Sequence, residues 1–428
     1  MDDQHTQRSH DSPRIEAAVA APHQPAARPQ AGAPASPAGS DPLARLRHLA
    51  WRVVFGGNRY DRGEFAGAFG DLGTFIPFVV AYIVVNKLDP LPILLSFGLF
   101  KIWVGCVFKT PVAVQPMKAI GGAAIAHPES VTPGMIWGSG LFTAAFWTVM
   151  ALTGTITWLE KITAKPMMRG IMLGLGMSFV IEALKLAQDQ PLLAVGAVVL
   201  TFLFLTNERI PAMLLLLAVG VAYSLLANPA LFGQLAGVSL HFRLPELALG
   251  RITWTDLVMG TLILGLPQAP LTLGNAILGI AAENNELFPD RPLKVKTIAL
   301  DHGLMNFASS AIGGVPLCHG AGGMAGHVRF GARTGGALVI LGVIVTLTGL
   351  FLSDSVTLLF GMIPRAVLGV ILFFTGLELA STMRDIGTKK DDVYVMLLTA
   401  GIAIVNVGVA FLAGVALYYA IRRGIVRV

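Results

Sequence analysis

Charge is what this chain lacks most. Only 13% of its 428 residues are Asp, Glu, Lys or Arg, while 54% are hydrophobic. Soluble domains carry about 25% charged residues, so most of this chain belongs in lipid, as its mean hydropathy of +0.69 also argues. Cysteine is scarce: Cys106 and Cys318 both lie in apolar stretches, which argues against a disulfide framework and makes them small buried residues. No Walker-type phosphate loop is present, which argues against direct ATP drive within the chain. Large apolar residues are nearly missing from residues 1–45, a stretch rich in Ala, Pro, His, Gln and Ser. It cannot bury a core and is expected to be a disordered cytoplasmic tail. No secretory signal is visible, so the first span serves as the insertion signal. After the last apolar stretch only Arg422 to Val428 remain, and no cytoplasmic regulatory domain is expected.

The net charge of +6 is not gathered into the stripe that nucleic acid requires. The basic residues fall between apolar segments and read as topology signals. A helix needs about 20 apolar residues to cross the hydrocarbon core. Candidate spans lie near 64–84, 91–108, 111–126, 134–158, 166–186, 190–206 and 211–227. A polar-leaning linker, 228–253, separates them from seven more near 254–281, 296–314, 316–332, 335–352, 355–379, 392–407 and 408–421. With both termini cytoplasmic, all of the 31 basic residues fall inside except Lys87, Lys101, Lys118, Lys185, Arg243, Arg251 and Arg365. The expectation is therefore an all-α polytopic membrane protein with fourteen transmembrane segments.

Seven spans per half force the second half into inverted topology. The first repeat covers 60–227 and the second 254–421, with the linker extracytoplasmic. Echoes support the repeat: Arg169 and Arg365 each open an apolar run and are followed thirteen residues later by Glu182 and Glu378. Segments 3 and 10 are each interrupted, by Thr110-Pro111-Val112-Ala113-Val114-Gln115-Pro116-Met117-Lys118 and by Gly314-Val315-Pro316-Leu317-Cys318-His319-Gly320-Ala321-Gly322-Gly323. Paired breaks of this kind mark a transporter's binding site, because lipid cannot satisfy exposed backbone. In each, an extended stretch precedes a half-helix, with Pro116 suited to a first helical turn. Two facing helix N-termini make an anion site without formal charge, and the glycines at 320, 322 and 323 allow close approach.

Lys118, three residues after Gln115, shares its helical face; it either adds a positive charge to the site or snorkels to a vestibule. His319 either donates to an anion or carries a coupled proton, or else caps a helix. The first and eighth spans are also interrupted, by Gly70-Asp71-Leu72-Gly73-Thr74 and by Gln268 to Asn275. Gln268, Thr272 and Asn275 are neutral donors suited to oxygen ligands, with helix glue as the alternative. Asp71 would repel an anion, so it pairs with Lys118, caps a helix or takes up a proton. Asp301 and His302 form a second candidate proton-handling pair, with helix packing as the simpler role.

The runs Gly70 to Pro77, Pro111 to Lys118 and Pro316 to Gly323 resemble the molybdate transporter family, a short branch of the sulfate-permease-like anion transporters. The resemblance covers about residues 60 to 421. It implies a core domain of spans 1–4 and 8–11, a gate of spans 5–7 and 12–14 that often dimerises, and elevator-like transport of molybdate or sulfate. Candidate substrate ligands are then Thr74, Gln115, Pro116, Lys118, Gln268, Thr272, Asn275, His319, Gly320, Ala321 and Gly322. Candidate proton carriers are Asp71, His302 and His319, with Glu182 and Glu378 also open. No cofactor is expected. Nucleobase permeases of this fold carry carboxylates where Gln268 and His319 stand here, which argues against a nucleobase. An uncoupled anion channel is the rival class. A metalloenzyme built on Cys318, His319 and His327 has too few ligands at metal spacing.

Overall fold

Prolines start the long helices. Asp89 and Thr132 each accept a backbone N–H, from Leu91 and Met135, both at 3.1 Å, ahead of Pro90 and Pro133. Proline then occupies the first helical position, where its missing N–H has no partner to lose. Pro166 and Pro191 lie in the first turn of two further helices, without a side-chain cap.

The computed structural model describes residues 56–427, apart from 157, 159–160, 162–163, 206–211 and 236–238. The expected N-terminal tail lies outside the described residues. The chain runs through α1 (Arg62–Ala68), α2 (Leu72–Val84) and α3 (Pro90–Phe108) into β1 (Val114–Pro116) and α4 (Lys118–Ala126). Next come α5 (Pro133–Thr153), α6 (Lys165–Ala187), α7 (Pro191–Phe204) and α8 (Ala212–Ala227). After the linker, α9 (Trp254–Leu287) leads to α10 (Val295–Ala311), β2 (Leu317–His319) and α11 (Ala321–Arg329). The chain closes with α12 (Gly336–Gly361), α13 (Arg365–Ser381), α14 (Lys390–Ala403) and α15 (Val407–Arg422). By length and composition, six helices among the described residues can cross a bilayer, α3, α5, α6, α9, α12 and α13, and four shorter apolar helices accompany them.

The long helices pack in pairs: α3 on α12, α5 on α10, and α6 on α13 and α14. Glycine makes these crossings close. A Cβ on Gly176 would lie 2.5 Å from Gly376 O, and one on Gly376 would lie 2.6 Å from Gly176 O. Gly98 and Gly342 meet similarly between α3 and α12, where a Cβ on Gly342 would lie 2.6 Å from Gly98 O. In lipid, where apolar burial between helices gains little, such small-residue contacts hold helices together. The outer surface is apolar, with Leu192 88%, Leu226 80% and Val405 88% exposed, whereas Lys101, His302 and Asn306 are fully buried. Polar inside and apolar outside is the reverse of a soluble domain and suits a bilayer.

Of the two further interruptions expected, the first is present and the second is not. The first span is broken into α1 and α2 at Phe69–Asp71, where Gly70 presses on the backbone of Gly326 in α11. The eighth is not broken: Gln268 to Asn275 lie in one continuous helix that carries π-helical stretches at Gly260–Gly265 and Thr272–Leu278. A π-stretch absorbs an extra residue without freeing backbone groups, which is why the Pro267 and Pro270 region stays helical. The linker runs as a strap: His241 and Arg243 donate N–H to Phe351 and Leu350 O, both at 3.0 Å, and Ala248 N–H reaches Ala311 O at 2.7 Å.

Gly176→Ala should cost about 1–3 kcal/mol by forcing α6 from α13, read as a lower Tm in detergent. Gly196→Ala, which meets nothing within 4 Å, should leave Tm unchanged or raise it.

Candidate oxyanion site between two half-helices

β1 and β2 pair antiparallel, with Val114 opposite His319, Gln115 opposite Cys318 and Pro116 opposite Leu317. Pro111, Pro116 and Pro316 prevent helix across both segments, and Val112, Val114 and Val315 favour extended backbone. Pro116 therefore lies in the strand and not in a helical turn as expected; the next N–H, of Met117, donates to Pro316 O at 3.1 Å. Strands of three residues do not hold themselves. Buried side chains clamp them instead. Asn306 accepts Leu317 N–H at 2.9 Å and donates to Leu317 O at 2.8 Å. Ser309 donates to Val315 O at 2.7 Å and Lys101 Nζ to Val114 O at 2.7 Å.

Each strand hands over to a half-helix. Met117 precedes α4 and Gly320 precedes α11, both in extended conformation and neither capping with a side chain. The first-turn N–H groups of Lys118, Ala119, Ala321 and Gly322 can find no partner within their own helices. Gln268 from α9 takes one of them: its Oε1 accepts Ala119 N–H at 2.8 Å, while its Nε2 donates to Thr272 Oγ1 at 3.0 Å. Thr272 in turn lies 3.8 Å from Cys318 Sγ. Gly322 sits in open space, where an added Cβ would meet nothing within 4 Å.

A narrow cleft opens at this junction, lined by Gln115, Pro116, Lys118, Gln268, Leu271, Asn275, Cys318 and His319. It leaves about 10 Å³ for the centre of a water molecule, the room of a single water. Six of the expected ligands thus converge: Gln115, Pro116, Lys118, Gln268, Asn275 and His319. Thr272 stands behind Gln268, and Thr74, Gly320, Ala321 and Gly322 are not on the cleft wall. Gly320 and Gly323 serve Gln115 instead. A Cβ on Gly320 would lie 2.6 Å from Gln115 Cδ, and one on Gly323 would lie 2.6 Å from Asp71 Oδ1.

Several expected pairings are replaced by others. Gln115 lies in the strand and Lys118 begins the helix, so they share no helical face. Asp71 does not pair with Lys118: its Oδ1 accepts from Gln115 Nε2, and its Oδ2 lies 3.7 Å from Lys101 Nζ. The reason is geometric, because Asp71 begins α2 beneath β1, on the side that Lys101 reaches from α3. Asp301 and His302 are not partners of one another. Asp301 Oδ2 lies 2.9 Å from His319 Nε2, and Asp301 Oδ1 accepts from Trp103 Nε1 at 2.8 Å. Adjacent residues on a helix point about 100° apart, so the two cannot face each other. His302 sets its ring edge-on to His319, with centroids 4.7 Å apart. Glu182 pairs with Lys185 at 3.0 Å beside a separate cavity of about 410 Å³; the Glu378 side chain lies outside the described residues. Among the described residues no cluster of three His, Cys, Asp or Glu could hold a metal.

Lys101, Trp103, Asn306 and Leu271 belong to the site and were not proposed for it from the sequence, and Cys318, read only as a small buried residue, also lines the cleft. Lys101 carried a signal, being a lone cation in the middle of a 19-residue apolar helix.

A family model described as molybdate transporter of the MFS superfamily matches residues 63–179 and 260–379. The chain belongs to that family. It is similar to "Molybdate transporter 2" of Arabidopsis thaliana, with 31% identity, covering 84% of this chain and 87% of that protein. It is also similar to "Molybdate transporter 1" of the same plant, with 29% identity over 86% of this chain and 90% of that protein. These relatives are transporters, and this family member is a membrane transporter rather than an enzyme. Its fold matches the transmembrane domain of the cyanobacterial bicarbonate transporter BicA, with a TM-score of 0.59, 15% identity, and coverage of 83% of this chain and 97% of that one. It also matches the murine Solute Carrier 26 family member A9 anion transporter in its inward-facing state, with a TM-score of 0.63, 13% identity, and coverage of 93% and 74%.

Lys101→Met should leave Asp71 as a lone buried carboxylate and cost about 3–5 kcal/mol. Asp71→Asn in the same chain should recover most of that loss, measured as thermal stability of the two variants against the parent.

Proposed function

We propose that this protein is a secondary transporter of a tetrahedral oxyanion, molybdate above all, across the cytoplasmic membrane. The observation that carries the reading is the cleft at the start of α4 beside β2, where Lys118, His319 and the neutral donors Gln115, Gln268 and Asn275 converge in a member of a molybdate transporter family. A dianion suits such a site, because charge-assisted bonds from oriented donors replace its hydration. The cleft has room for about one water, so a bound oxyanion requires Leu271, Asn275 and the Lys118 side chain to yield.

The cavity of about 410 Å³ reaches Ala119, next to Lys118, and supplies an approach to the cleft between α4, α6 and α14. We read the chain as fourteen spans in two inverted repeats of seven, with both termini cytoplasmic. In support, α3 packs on α12 and α5 on α10, the exchange of partners that a twofold axis in the membrane requires, and β1 crosses β2 antiparallel. In this reading α1–α5 with α9–α12 form a substrate-carrying core. The remaining helices form a gate against which the core slides as an elevator, and the gate is the dimerising surface.

Purified protein in liposomes should take up labelled molybdate, with tungstate and sulfate competing and uracil not. Lys118→Ala should weaken binding about 10- to 100-fold, the loss of one charge-assisted bond. Gln115→Ala and His319→Ala should each reduce uptake. Normal uptake by all three variants would remove the site.

A further inference from the structure

His319 is held between two acceptors. Its Nδ1 lies 3.0 Å from Ala113 O, and a carbonyl can only accept, so Nδ1 carries a proton. Its Nε2 lies 2.9 Å from Asp301 Oδ2, and two lone pairs cannot meet at that distance, so one proton lies on the Nε2–Oδ2 line. The Trp103 indole, a donor only, occupies the other carboxylate oxygen at 2.8 Å. The pair is therefore closed only when it holds this proton. Without it, an imidazole lone pair faces a carboxylate and the contact must open.

His302 is excluded from the same role by its own bonds. Its Nδ1 donates to Ile298 O at 2.9 Å, and its Nε2 faces the donating N–H of His319 at 3.4 Å. Both nitrogens are used in the neutral ring, and a second proton would point at a donor. Asp71 accepts from Gln115, faces Lys101 Nζ at 3.7 Å and does not line the cleft.

His319 does line the cleft. The charged and titratable groups around it are Asp301 and His302 from α10, Lys101 at the next β1 carbonyl, Lys118 at the start of α4, and Cys318 on its own strand. The α9 wall presents Gln268, Thr272 and Asn275, all neutral. We propose that the Asp301–His319 pair is the proton-binding site of this transporter, loading one proton together with each oxyanion. The proposal rests on the transport reading above. Two negative charges entering a low-dielectric cleft disfavour the deprotonated pair, which carries a further negative charge, and favour the protonated pair, which is neutral. By linkage the proton favours the dianion to the same degree. The proton arrives from the aqueous side that supplies the anion and leaves on the side that receives it, with no other bond formed or broken.

The test is molybdate binding to the purified, detergent-solubilised protein at a series of pH values. Molybdate added in weak buffer should draw up to one proton per anion bound, and affinity should fall about tenfold per pH unit above the pair's midpoint. Asp301→Asn fixes the pair as neutral, so binding should lose its pH dependence and draw no proton. In liposomes an inward proton gradient should accelerate uptake by the parent and not by that variant. Should Asp301→Asn fail to fold, Asp301→Glu should keep the proton uptake, and Trp103→Phe should keep it with a shifted pH midpoint. Molybdate binding by the parent without proton uptake overturns the proposal and leaves the transport reading intact. Absence of any molybdate binding by the parent overturns both.

Discussion

Everything at the centre of this molecule depends on six strand residues placed where no water satisfies backbone. An N–H or C=O left unpaired in hydrocarbon costs several kcal/mol, and a break in a spanning helix exposes several at once. Pairing β1 with β2 lets each break satisfy the other. The remainder is met by Asn306 and Lys101, bonded to strand carbonyls, and by Ser309 and His319, bonded to the carbonyls of Val315 and Ala113 that flank the strands. The two half-helices are thereby freed to begin in the interior, with first-turn N–H groups that a continuous helix would have consumed.

The charges that support this arrangement come in balanced sets. Lys101 sits between Asp71, the Val114 carbonyl and the face of Phe75, whose centroid is 5.0 Å away. Asp301 and His319 share a proton under Trp103. Each set brings its charges into compensating contact, and each would be expensive if halved. Nearly all of this polarity is buried, so the exterior can remain apolar toward lipid while the anion meets a rigid, polar interior.

Close helix crossings give that interior its stiffness. Where α6 meets α13 and α3 meets α12, glycine brings backbones together with no side chain between them. The strap from His241 to Ala248 adds backbone bonds to α12 and α10. Such contacts hold the two strand segments in register, and a register slip would turn Gln115 and His319 away from the cleft.

Membrane class, the long apolar helices and the two interrupted segments were legible in the chain, because hydropathy and proline act locally and need no partner. The Val-Gln-Pro-Met-Lys and Cys-His-Gly-Ala-Gly-Gly runs likewise identified the family and most of the cleft wall. What the sequence could not decide was pairing. Asp71 with Lys101, Asp301 with His319, and Gln268 with Ala119 join residues 30, 18 and 149 positions apart. Helix rotation, not spacing, selects them. The same holds for Asn306, an unremarked polar residue in a helix until the fold laid a bare strand beside it. Local chemistry determined where the chain must break; only packing decided which side chains repair the break and which are left facing the anion.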